Sequence, residues 1–189
     1  WDKDVNIGYI STAPLVTQGL VIVKGGGSNS DGIDPTIVAY RADNGSEVWR
    51  ATHPISTYNF ELSPLVYVPA GTLPCSPTQD MVVTGWTSGQ LTAYDLVDGT
   101  PLWNVSTPAP LWGITAQGLS IEDRIIWPTE TGIIDVCAAN GTMQNQYQNT
   151  AFERIEQILV CGTLGTIFRW IMAFFRVHNP VTSCDMISI

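Results

Sequence analysis

Charge is scarce in this sequence, and positive charge is scarcest. Only 13% of the 189 residues are charged, and 8 Lys and Arg stand against 17 Asp and Glu, for a formal net charge of −9. The imbalance lies in one part of the chain: residues 1–150 hold five basic and fourteen acidic residues, residues 151–189 three of each. An acidic surface repels phosphate backbones, so no nucleic-acid partner is expected. Histidine is limited to His53 and His178, which read as isolated residues rather than members of a triad. His53 precedes Pro54 and reads as an exposed loop residue. The four cysteines, Cys75, Cys137, Cys161 and Cys184, have neither zinc-site nor Cys-x-x-Cys spacing. They leave three disulfide pairings open, beside the alternative of free buried thiols. The glycine-rich stretch Gly25 to Gly32 lacks the Lys-Ser/Thr of a phosphate loop and leads into a strand rather than a helix, which excludes a nucleotide cradle.

What the chain has is repetition. Ala93-Tyr94-Asp95-Leu96-Val97-Asp98-Gly99-Thr100-Pro101-Leu102-Trp103 has a close copy upstream, Ala39-Tyr40-Arg41-Ala42-Asp43-Asn44-Gly45-Ser46-Glu47-Val48-Trp49. A fainter one follows at Ile134-Asp135-Val136-Cys137-Ala138-Ala139-Asn140-Gly141-Thr142. Repeats of this period mean arrayed supersecondary units. Thr36 to Tyr40 and Gln90 to Tyr94 alternate as half-buried strands do. Asn44-Gly45 and Asp98-Gly99 supply the positive φ of a tight turn. A Trp at the same offset after each turn places a large rigid ring at an equivalent point of each unit.

These residues resemble the tryptophan-docking repeat of the quinoprotein β-propellers, the family of the pyrroloquinoline-quinone (PQQ) alcohol dehydrogenases and their non-catalytic relatives. Gly8 to Val16 followed by Leu20 to Val23 is similar to the opening of a dehydrogenase blade, as is Leu65 to Gly71. The resemblance implies an all-β fold: a partial β-propeller of about three four-stranded antiparallel blades over residues 1–149. It also implies candidate positions for cofactor and metal. Ser11 stands at a hydroxyl position that contacts the quinone, and Asn29 where the family carries a calcium-ligating Glu. Thr72 stands where the family has a second ligand, an Asn. Asn29 and Thr72 are both weaker ligands for a hard cation than a carboxylate. The adjacent-cysteine pair, the catalytic Asp and the Trp stacked on the quinone have no counterpart. Trp86 and Trp112 are aromatic candidates, for which core packing is expected.

The expected function is therefore a non-catalytic binding or assembly module, with no cofactor. The alternative is part of a PQQ- and calcium-dependent alcohol or sugar dehydrogenase. A blade takes about 40 to 50 residues, which leaves room for three or four. Three blades alone leave open edges, so other chains or further blades are the expected partners. The start at Trp1 rather than Met reads as a processed or cut terminus. The low charge, with abundant Ser, Thr, Asn, Gln and Gly, suits a secreted, periplasmic or cell-surface protein. Three glycosylation triplets, Asn44-Gly45-Ser46, Asn104-Val105-Ser106 and Asn140-Gly141-Thr142, agree with a secreted glycoprotein. Residues 150–189 differ in character. Phe152, Ile155, Ile158 and Leu159 fall on one helix face, and a buried or interfacial helical appendage is expected. Ile158–Phe175, with Arg169 as its one charge, approaches a membrane span and supplies an alternative membrane contact. A tail foreign to the repeat is the third reading.

Overall fold

The computed structural model describes residues 1–10, 12–27, 32–54, 63–107, 117–129, 132–148, 157–161 and 170–174. The strands of the first sheet are β1 (Leu15–Thr17), β2 (Leu20–Gly25), β3 (Thr36–Arg41) and β4 (Glu47–Thr52). The second sheet holds β5 (Val66–Val68), β6 (Met81–Trp86), β7 (Gln90–Asp95) and β8 (Pro101–Ser106). The third holds β9 (Leu119–Ile121), β10 (Arg124–Thr129), β11 (Gly132–Cys137) and β12 (Met143–Gln148). Each is a four-stranded antiparallel meander in chain order. The sheets correspond to three propeller blades.

The third and fourth strands of every blade are joined by the same turn. Gly45, Gly99 and Gly141 take φ of 69°, 72° and 70°, a left-handed conformation that side chains resist. The preceding residue does not share it. Asn44, Asp98 and Asn140 instead accept the backbone N–H two residues on, from Ser46, Thr100 and Thr142, with side-chain oxygens at 2.8, 2.8 and 2.9 Å. Such Asx turns hold the chain in place for the glycine. Each pairing then slips by one residue, at Ala39/Tyr40, Ala93/Tyr94 and Asp135/Val136. The slip places Trp49 opposite Ala39, Trp103 opposite Ala93 and Asn145 opposite Asp135.

Central strands are buried on both faces because blades stack face to face. Ile22, Ile37 and Ala39 of the first blade pack with Leu65, Val82, Trp86 and Leu96 of the second. Val83, Leu91 and Ala93 pack with Ile125, Trp127 and Ile134 of the third. The outer face of the first blade is covered by the lead segment: Ile7 joins Val23, Val38 and Tyr40.

Of the C-terminal segment expected to be helical, two short stretches are described, and both are strands. Gln157–Cys161 (β13) and Trp170–Phe174 (β14) pair antiparallel. The β-branched Ile158, Val160 and Ile171 suit strands, and Gly162 and Gly165 disfavour one continuous helix. Among the described residues no helix is long and apolar enough to cross a membrane.

Candidate functional site at the blade junctions

The docking tryptophans form one geometry used three times. Trp49 Nε1 donates to the Leu96 carbonyl at 2.9 Å, and Trp103 Nε1 to the Ala138 carbonyl at 2.9 Å. Trp1 Nε1 donates to the Ala42 carbonyl at 3.0 Å. Each acceptor lies three residues before the turn glycine of the next blade. The same glycine receives the ring: a Cβ on Gly99 would come within 2.5 Å of Trp49, on Gly45 within 2.6 Å of Trp1, and on Gly141 within 2.7 Å of Trp103. Glycine is thus required twice over, for its φ and for the ring laid against it. Trp1 docks on the first blade as Trp49 docks on the second.

A buried polar cluster lies where the first two blades meet. Lys24, 1% exposed, donates from Nζ to the Ser63 carbonyl (3.1 Å), Thr84 Oγ1 (3.1 Å) and the Gly85 carbonyl (2.7 Å). Its ammonium lies 4.4 Å from the centre of the Trp86 ring. A buried ammonium must be fully hydrogen-bonded to be tolerated, and here strand β2 supplies the charge while the second blade supplies the acceptors. His53 stacks on Trp86, with centroids 4.3 Å apart and planes 4° from parallel. Trp86 is wholly buried, as expected, with Nε1 on Thr92 Oγ1.

His53 is not the exposed loop residue expected, nor is it isolated. It is buried, its backbone N–H donates to the Pro35 carbonyl, and its Nε2 lies 3.2 Å from Ser88 Oγ. Pro54 follows it, but the second blade covers its ring, a contact that no local pattern reveals. Burial first, and the Lys24 charge second, lower its pKa to about 4, so the ring is neutral near pH 7. It borders a groove of about 330 Å³ shared with Arg50, Thr52, Thr92, Tyr94 and Asn104. A base so weakened is poorly matched to proton abstraction near neutrality. What the His53–Ser88 pair does is join β4 to the β6–β7 turn.

Of the residues assigned from the resemblance, Ser11 and Asn29 lie outside the described residues, as do Trp112 and His178. Thr72 is exposed in the connection between β5 and β6. The carboxylate engaged with that connection, Asp80, accepts from Tyr67 Oη (2.8 Å) and the Ala70 N–H (2.8 Å). Among the described residues no three His, Cys, Asp or Glu side chains gather as a metal set. Thr72 thus faces solvent, and Asp80 is taken up by its own loop.

The second and third blades are joined covalently. Cys75, in the β5–β6 connection, forms a disulfide with Cys137 of β11, which rules out the two pairings that would part them. The Cys75 N–H donates to Asp123 Oδ2 (3.0 Å), and the Ala139 N–H to the Cys75 carbonyl (2.8 Å).

Comparison with known proteins agrees with this architecture. A family model described as outer membrane protein assembly factor BamB matches residues 1–111. No curated protein matches the sequence. Among solved structures, BamB from Moraxella catarrhalis is similar at TM-score 0.52 and 17% identity, over 75% of this chain and 37% of that one. Quinohemoprotein alcohol dehydrogenase from Comamonas testosteroni is similar at TM-score 0.53 and 18% identity, over 75% of this chain and 21% of that one. The computationally designed Ika4 protein is similar at TM-score 0.56 and 14% identity, over 88% of this chain and 92% of that one. At these identities the likeness is one of fold. The chain spans well under half the length of the two natural proteins.

Proposed function

The chain belongs to the PQQ-like β-propeller family whose matching model is described as outer membrane protein assembly factor BamB, and from that premise we propose that it is a non-catalytic blade module that binds or assembles with other protein. One observation carries this reading: the buried Lys24 ammonium, the His53 ring and the docking Trp nitrogens are spent on joining one blade to the next. Lys24 ties the first blade to Ser63, Thr84 and Gly85 of the second. His53 is stacked and neutral, and each docking Trp is bound to a carbonyl. Such a stack is a rigid platform for its connecting loops. Its partners are other chains or further blades that cover the open sheet edges. The acidic surface argues against nucleic acid. The Cys75–Cys137 disulfide supports an oxidising location, secreted, periplasmic or at the cell surface.

A second reading, a segment of a PQQ- and calcium-dependent dehydrogenase, has its own support. The similar solved structures favour it: the alcohol dehydrogenase from Comamonas testosteroni matches the fold as well as BamB does, and a europium-containing methanol dehydrogenase matches it too. In this reading Ser11 faces the quinone, and Asn29 and Thr72 hold calcium. Titration with PQQ in the presence of calcium, followed by quinone absorbance and thermal stability, separates the two. A ligand bound only by the native state must raise apparent stability. The module reading expects no saturable change from the folded chain. Saturable binding with a stability gain that is lost in Asn29→Ala would replace it with the dehydrogenase reading.

A further inference from the structure

The three Asn-x-Ser/Thr triplets have a regularity in the fold that their spacing in sequence conceals. There is one in each blade, and each lies on that blade's outermost hairpin. Asn44 is in the β3–β4 turn, Asn104 on β8 and Asn140 in the β11–β12 turn. All three asparagines are exposed, as are Ser46, Ser106 and Thr142, the hydroxyl residues a transferase must also reach. The nitrogen that would carry a sugar is compatible with modification at each position. Asn44 and Asn140 use the side-chain oxygen, not Nδ2, to hold their turns. Asn104 Nδ2 makes a long 3.3 Å bond to Gln90 Oε1, which the remaining hydrogen of a substituted amide can still make. The turn explains why a residue of the Asn/Asp type stands at 44, 98 and 140. It does not explain Asn rather than Asp, since Asp98 makes the same bond, and it does not explain Asn104 at all. The Cys75–Cys137 disulfide, independently, agrees with passage through an oxidising compartment.

We infer that Asn44, Asn104 and Asn140 are N-glycan acceptors that set one glycan on the rim of each blade. The donor class is an oligosaccharide linked through pyrophosphate to a lipid. Asn Nδ2 bonds to C1 of the first sugar, the C1–oxygen bond to pyrophosphate breaks, the lipid pyrophosphate leaves with the electron pair, and Nδ2 gives up one proton. Bulky, solubilising glycans there cover the exposed edge strands β4, β8 and β12, which otherwise invite pairing. The inner edges, at β1, β5 and β9, stay free for the partner. The inference rests on the secreted location proposed above.

The test is expression of the full chain, behind a supplied leader, as a secreted protein of a eukaryotic cell. Intact mass is measured before and after peptide N-glycosidase, with peptide mapping of the cysteines. Three glycans are expected, and Asn44→Gln, Asn104→Gln and Asn140→Gln should each remove one. Asp98→Asn completes a fourth triplet at the equivalent turn and should add one. A secreted chain carrying the Cys75–Cys137 bond but no sugar would overturn the glycan rim and leave the location standing. Free Cys75 and Cys137 in the secreted chain would count against the oxidising location instead.

Discussion

The two blade junctions share one device and differ in everything added to it. At both, a Trp from a fourth strand donates to the carbonyl three residues before the next blade's turn glycine and lies against that glycine. The first junction adds a buried cation, an aromatic stack and a neutral histidine. The second adds a disulfide and a pair of backbone bonds around Cys75. One is held by packing and electrostatics alone. The other is also held covalently. A repeat thus fixes where blades meet, while individual residues decide under which conditions they separate.

The comparison can be broken most sharply at Trp49, which is only 6% exposed. Trp49→Ala should cost about 3–5 kcal/mol, as large-to-small changes of buried aromatics do. Trp103 is half-buried, so Trp103→Ala should cost less. Equilibrium denaturation of both variants checks the order, and equal losses would mean that burial does not set the strength of the dock. Replacing Cys75 and Cys137 together by Ser should cost about 2–4 kcal/mol, since the bridge closes a long loop. Added dithiol should then leave the variant's melting temperature unchanged while lowering that of the native chain.

Lys24→Met should cost about 1–3 kcal/mol by orphaning the Ser63 and Gly85 carbonyls. It should also raise the His53 pKa, because the nearby positive charge is gone; NMR titration of the ring reads this directly. A last effect is that of pH. His53 has a folded-state pKa of about 4 against an ordinary 6.5. The unfolded chain therefore binds the proton first, and stability is full above pH 6.5 and declines as pH falls from there toward 4. His53→Gln should flatten that part of the profile. A variant that keeps the full slope would assign it to carboxylates instead.

Much of this fold is written locally. The Gly45, Gly99 and Gly141 turns, the strand pairs around them and the equivalent Trp positions can be read from residues a few places apart. Even there, the role of Asn44 and Asp98 lies in a side-chain bond rather than in positive φ. What could not be read is what reaches across blades. The Trp49 acceptor is 47 residues away, the Cys75 partner 62, and the Lys24 acceptors 39 to 61. His53 looks like a loop residue because its burial is supplied by Trp86, which belongs to the next blade. Gln157–Cys161 and Trp170–Phe174 form strands where a helix was expected, because short apolar runs do not separate the two. The candidate site fared likewise: Thr72 could be located by resemblance, but its exposure and the commitment of Asp80 are tertiary facts.

The most direct measurement is hydrogen exchange on the native chain and Trp49→Ala, followed peptide by peptide. If blades are held junction by junction, β2, β3 and β6 should lose protection together in the variant while β10 and β11 keep theirs. Loss of protection spread evenly over all three blades would contradict that account and make the chain a single cooperative unit with no separable docks.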